Sequence, residues 1–335
     1  MRRTALMEQM RCPMSDSDSE SIATGKRGAS TPRLERINLA STFASRPPPL
    51  DFIWPGFLAG TVGMLASPGG SGKSMWALEA LCAQAGGEGA DLLGIHPPAQ
   101  GRAVYLCLED PALVLQHRLY AIGQLINPEA RERVTESLDV FPACGRALNL
   151  LEPRQRDGLA RALEGVRVTV IDTLSRAHQA DENSNAQMAQ LVSGLEWICE
   201  RTGAAILLLH HSRKGGAGDG GEAQHSARGA SALVDNARWA ATLNRMSEIE
   251  AETMADAEHS LDPLLPTRIC ERRGFYVRFD ASKVNYAPPS EARWYRREEG
   301  GVLVPARLEY LPNGAKSGGA PASKAVPWRG RPGRE

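Results

Sequence analysis

The run Ser67-Pro-Gly-Gly-Ser-Gly-Lys-Ser74 has the residue types and spacing of a loop that wraps a phosphate chain. Gly69, Gly70 and Gly72 let the backbone bend until successive N–H groups point into one concavity, which suits an anion. Pro68, Gly69, Gly70, Ser71, Gly72, Lys73, Ser74 and Met75 are therefore the expected nucleotide-contacting set. Lys73 would reach the outer phosphates, and the Ser74 hydroxyl would ligate Mg²⁺. The usual pattern opens with Gly or Ala. Ser67 stands there instead and is small enough to serve.

A phosphate loop alone binds; hydrolysis also needs a metal anchor and a group that orients or deprotonates water. Val168-Thr-Val-Ile-Asp172 is an apolar run ending in an acid. In an open α/β sheet the ligand lies at the carboxyl ends of the strands, so Asp172 falls where it would hold Mg²⁺ together with Ser74. Glu109 and Asp110 close another apolar run. Glu109 is the better candidate for polarising water, because Asp110 precedes Pro111 and has a helix to start. His210 and His211 end a third run, where a polar group would contact the γ-phosphate. Alternation directs only one of them to the nucleotide. A metal site at this pair is disfavoured because no third ligand is near in sequence. The Gly-rich stretch from Ser212 to Arg228 follows. Its length suggests function, and Arg213 and Lys214 suit the phosphates of a nucleic-acid strand. Asp219 and Glu222 weaken its basic character.

The elements that must position these groups are legible. Thr61–Ala66, Arg102–Leu108, Arg167–Ile171 and Ala204–Leu209 are near-continuous apolar runs, as in a parallel sheet covered on both faces. Helices are expected over Ser74–Ala85, stopped by Gly86-Gly87, over Ala112–Leu125, and over Ala186–Arg201 with Ser184-x-x-Gln187 as a capping box. The sum is an α/β fold with a central, mostly parallel sheet flanked by helices. Short antiparallel strands near Gly274–Phe279 and Gly301–Pro305 extend it.

The chain has 335 residues, with Lys+Arg and Asp+Glu both 39, so any nucleic-acid surface is local. Six scattered cysteines, without a C-x-x-C pair, read as thiols of a reducing compartment. No apolar run approaches a membrane span and no signal peptide is evident, so a cytoplasmic protein is expected. Residues 1–48 and 313–335 have the composition of disordered tails, the second basic. Residues 49–312 form the expected folded domain.

The ordered set of Ser67–Ser74, Leu108-Glu-Asp-Pro111, Val170-Ile-Asp-Thr-Leu174, Leu208-Leu-His-His211 and Arg228-Gly-Ala-Ser-Ala-Leu-Val-Asp-Asn-Ala-Arg-Trp239 resembles RecA-like hexameric helicases. The resemblance is strongest to the plasmid-encoded RepA-type replicative helicases and their phage and mobile-element relatives, and it covers roughly 55–245. It implies a RecA-like P-loop ATPase that binds ATP and Mg²⁺ between subunits of a hexameric ring. Glu109 matches the catalytic glutamate, Asp172 the metal-binding aspartate, His211 the γ-phosphate sensor and Arg238 the arginine finger acting on a neighbour's ATP, with Arg228 a second candidate. The Gly-rich loop would face single-stranded DNA in the channel, and a replication initiator or primase would be a partner. A RecA-like regulatory or recombination-mediator ATPase without unwinding activity is the alternative.

Overall fold

A computed structural model of the chain describes residues 36–182, 184–212, 231–256, 269–288 and 290–311. In chain order the elements are α1 (Leu39–Ala44), β1 (Phe52–Trp54), β2 (Phe57–Leu58), β3 (Val62–Ser67), α2 (Lys73–Gly86), β4 (Ala103–Cys107), α3 (Ala112–Leu125), α4 (Pro128–Ser137), β5 (Leu138–Pro142), α5 (Pro153–Ala162), β6 (Val168–Asp172) and α6 (Asn185–Thr202). They continue with β7 (Ala205–His211), α7 (Ser231–Asn236), β8 (Trp239–Arg245), α8 (Glu248–Thr253), β9 (Met254–Asp256), β10 (Tyr276–Val284), β11 (Arg293–Arg297), β12 (Leu303–Pro305) and β13 (Leu308–Tyr310).

Nine strands form one sheet in the order β12-β11-β10-β8-β3-β7-β6-β4-β5. Strands β8, β3, β7, β6, β4 and β5 run parallel. Strands β10, β11 and β12 continue the sheet by antiparallel pairing. The fold class is thus α/β, mostly parallel, with the expected C-terminal antiparallel extension. The parallel strands β3, β4 and β6 are buried at every position, which explains their unbroken apolar sequence. One apolar core lies between the sheet and α2, α3 and α4. The other lies between the sheet and α5, α6 and α7.

Every residue of α2 except Ser74 is buried, so its apolar residues are spread over all faces rather than striped, with Lys73, Glu79 and Gln84 buried among them. Helix α6 starts on Ser184, whose side chain accepts the Gln187 N–H. The reciprocal half of the expected capping box does not form. The Gln187 side chain accepts the Asp181 N–H at 2.8 Å instead. Helix α1 lies within the stretch read as a disordered extension, is capped by Asn38, and buries none of its residues.

The chain divides into two compact units, residues 1–246 with 274–306, and residues 247–273 with 307–335. In the second, α8 opens on a complete capping box between Ser247 and Glu250, and β9 pairs antiparallel with β13. No helix among the described residues is long and apolar enough to cross a membrane.

Candidate nucleotide site

Strand β3 delivers the chain to the Ser67–Ser74 loop, and α2 leaves it. Gly70 (φ +72°) and Gly72 (φ +99°) occupy the left-handed region that the loop requires and that side chains resist. Gly72 is the N-terminal cap of α2, so the positive end of that helix faces the loop's concavity. The Ser71 hydroxyl is wholly buried and has no hydrogen-bond partner in the protein.

Parallel pairing places the ends of β3, β7, β6 and β4 along one edge. Ser67 lies opposite His211, and Cys107 opposite Asp172. Lys73 Nζ sits 3.1 Å from each ring nitrogen of His211. His211 Nε2 lies 3.6 Å from Glu109 Oε2, and Glu109 Oε1 lies 3.7 Å from Arg176 Nε. Burial pulls the Lys73 ammonium below its ordinary pKa, and Asp172, Glu109 and Asp110 oppose that shift. Lys73, His211, Glu109 and Asp172 therefore share one electrostatic environment, although they are far apart in sequence.

Asp172 is buried and divides its oxygens. Oδ2 accepts the Tyr105 hydroxyl at 2.5 Å, whereas Oδ1 has no partner. A carboxyl oxygen that is buried without a donor calls for a cation or an ordered water. The donor set of Ser74 and Asp172 suits Mg²⁺, which takes few protein ligands and completes its shell with water and phosphate oxygens. Tyr105 itself is pushed well above its usual pKa by burial and by Asp172, so it stays a donor.

The two histidines part company, as strand alternation requires. His211 turns to Lys73. His210 is buried, and desolvation holds it below the ordinary His range, with Glu182 opposing. Asp110 does not cap α3 with its side chain; it pairs with Arg118 at 2.7 Å. Arg238 is not brought to the loop of its own chain. Its N–H bonds Val62 O at the start of β3, five residues from Ser67, or about 16 Å along a strand. Its half-exposed guanidinium lies 3.9 Å from Glu196. Arg213, Lys214, Asp219, Glu222 and Arg228 lie outside the described residues, as do residues 1–35 and 312–335.

Sequence reasoning missed Tyr105, Arg176, Arg245 and Arg297. Tyr105 is hidden in an apolar strand, where it reads as core. Arg245 ends β8 and so obeys the same edge rule as Asp172, but the mixed small and polar residues of β8 do not form the apolar run that marks a buried strand. Arg297 ends β11, which runs in the same direction as β8 because both are antiparallel to β10. Both arginines reach the phosphate loop.

A family model described as an AAA domain matches residues 29–217, more than half of the chain. The chain belongs to the AAA domain family. The match begins inside the N-terminal extension and ends within the Gly-rich stretch. Among solved structures, the chain is similar to the RadB recombinase at 15% identity, over 72% of this chain and 90% of that one, with a TM-score of 0.43. It is also similar to a KaiC-like protein from the archaeon Pyrococcus horikoshii OT3 at 14% identity, over 77% of this chain and 99% of that one, with a TM-score of 0.46. Neither likeness bears on function.

Proposed function

We propose that this protein is a Mg²⁺-dependent ATPase whose hydrolysis drives movement on single-stranded DNA, as a helicase or translocase that assembles into a ring. The observation that carries the hydrolytic part is the convergence of Lys73, His211, Glu109 and Asp172 at one sheet edge beside the loop. AAA family membership supports the same chemistry. Motor action on DNA rests on the ordered motif set and its resemblance to RepA-type helicases.

In this reading the loop N–H groups and Lys73 bind the phosphates. Lys73 would exchange its contact with His211 for a phosphate oxygen, freeing the imidazole to meet the γ-phosphate. Ser74 and Asp172 would hold Mg²⁺, which screens the charge on the phosphates when bound. Tyr105 fixes the Asp172 carboxylate. Glu109 accepts a proton from, or aligns, the attacking water. The position of Arg238, exposed and away from its own loop, suits a finger acting on a neighbouring subunit, a contact worth about 10³ to 10⁵ in turnover.

Steady-state ATP turnover with and without single-stranded DNA, together with strand displacement, tests the proposal. Wild type should turn over ATP faster on DNA. Lys73→Ala should lose nucleotide binding, and Glu109→Gln should bind ATP yet lose about 10² to 10⁴ in rate. Absence of turnover would refute the ATPase, and turnover indifferent to DNA without unwinding would refute the motor. Native mass measurement with ATP tests the hexamer.

A further inference from the structure

Arg245 and Arg297 cover the side of the phosphate loop opposite Glu109, His211 and Asp172. Arg245 Nη2 donates to Gly70 O at 3.0 Å, and Arg297 Nη2 donates to the same oxygen at 3.1 Å. The packing is close. A Cβ on Gly70 would lie 2.5 Å from Arg245 Nη2, and one on Gly72 would lie 3.1 Å from Arg297 Nη2.

This arrangement is electrostatically incomplete. Two guanidinium groups share one neutral carbonyl. Among the described residues, neither forms an ion pair with a carboxylate. Arg297 Nε is buried with no hydrogen-bond partner. Burial, and then Arg245, lower the Arg297 pKa. The Arg297 group also presses on Gly72, the cap of α2, where the helix dipole is positive. Nearby, the Ser71 hydroxyl is buried without a partner. Cations gathered at a helix N-terminus repel one another unless an anion lies among them, and an anionic oxygen accepts about twice as strongly as a neutral one.

The position of Arg297 is built into the fold. The turn from β11 to β12 is fastened to α2, where the Leu303 N–H bonds Glu79 Oε1 at 2.8 Å. The side of the turn at Gly300 meets Ala121 of α3 so closely that a Cβ there would lie 2.4 Å from the Ala121 methyl. The turn that follows Arg297 is thus tied to the helix that begins at Lys73.

We propose that Arg245 and Arg297 are a two-arginine clamp for the α- and β-phosphates of a nucleotide bound to their own chain. The Gly70 carbonyl occupies their donors until phosphate oxygens replace it. The division of labour follows from the two sides of the loop: Glu109, His211 and Asp172 address the γ-phosphate end, and the arginines address the nucleoside end. The clamp rests on the reading of Ser67–Ser74 as a nucleotide site.

Equilibrium titration of the full chain with N-methylanthraniloyl ATP and ADP tests it, using wild type, Arg245→Gln, Arg297→Gln, their Lys counterparts and Lys73→Ala. Each Gln variant should weaken ATP and ADP alike, by about ten- to a hundred-fold, and flatten the salt dependence of binding. The Lys variants, which keep the charge without the fork, should fall between. Melting without nucleotide should be unchanged or higher in the Gln variants, because like charges have been separated. Unchanged ADP affinity in both Gln variants would overturn the clamp. So would weakening confined to ATP, which places the arginines at the γ-phosphate. A lower melting temperature with an undiminished nucleotide-induced rise would make the pair a structural latch instead. Failure of the underlying reading shows separately, as wild type that binds neither nucleotide or Lys73→Ala that binds both normally.

Discussion

Replacing Glu79 by Gln should stabilise the protein, and increasingly so as pH rises. Glu79 is fully buried in α2. Its Oε1 accepts the Leu303 N–H, and its Oε2 has no partner. Burial raises its pKa well above 4.5, and the single backbone hydrogen bond only partly opposes this. The unfolded chain releases the Glu79 proton near pH 4.5, whereas the folded protein keeps it. Stability from this group is therefore complete below pH 4.5 and is lost as pH rises toward the folded pKa, at about 1.4 kcal/mol per pH unit. Gln preserves shape and acceptor but does not titrate. As pH rises above about 5.5 the gap between variant and wild type should widen, so the melting temperature of the variant should climb relative to that of wild type. The neighbouring groups do not confuse the comparison: the Cys82 thiol is pushed up to about 12, and Tyr295 rises from its ordinary value of 10. Melting profiles measured across this range give the answer directly. Parallel curves for Glu79→Gln and wild type would refute the reasoning, because a carboxyl group that ionises alike in both states leaves no slope.

Three further outcomes follow from the site. Tyr105→Phe removes the donor that holds Asp172 Oδ2, so the Mg²⁺ concentration for half-maximal ATP binding should rise about ten- to a hundred-fold; magnesium titrations at fixed nucleotide measure it, and an unchanged midpoint counts against the ligand assignment. Gly70→Ala forces a side chain into a φ of +72° and against Arg245. It should cost about 1–3 kcal/mol in denaturant melts, and a cost within error would argue against the loop conformation. Mixing Arg238→Ala subunits with Lys73→Ala subunits should restore part of the ATP turnover that each lacks alone, whereas mixtures as inactive as their components would remove Arg238 from the neighbour's site.

The parallel half of the sheet was legible because burial on both faces forces unbroken apolar runs, and each run ended in the polar residues that the edge of such a sheet exposes. Asp172, Glu109 and His211 were found by that rule. Strand β8 escaped it: Trp239-Ala-Ala-Thr-Leu-Asn-Arg245 mixes small and polar residues at the seam where parallel pairing turns antiparallel. Missing β8 meant missing Arg245. Strand β5 is an edge strand with partly exposed residues, and Leu-Asp-Val-Phe-Pro has no distinctive period. Arg297 could not be reached from spacing at all, because a three-strand excursion brings it back to a loop more than two hundred residues earlier.

The all-round burial of α2 limits where work can be done in this molecule. A helix walled in on every side cannot slide or roll without opening the close-packed layers around it. In the proposed reading it would act as an anvil, with the nucleotide at its N-terminus and the helix held in place by its packing. Strain from the proposed binding and turnover would then leave through the parts that meet at the sheet edge, namely the ends of β4, β6, β7, β8 and β11. Of these, β7 runs directly into the Gly-rich stretch after His211. If the protein is the motor proposed above, it would transmit force by its strand tips rather than by its phosphate-loop helix.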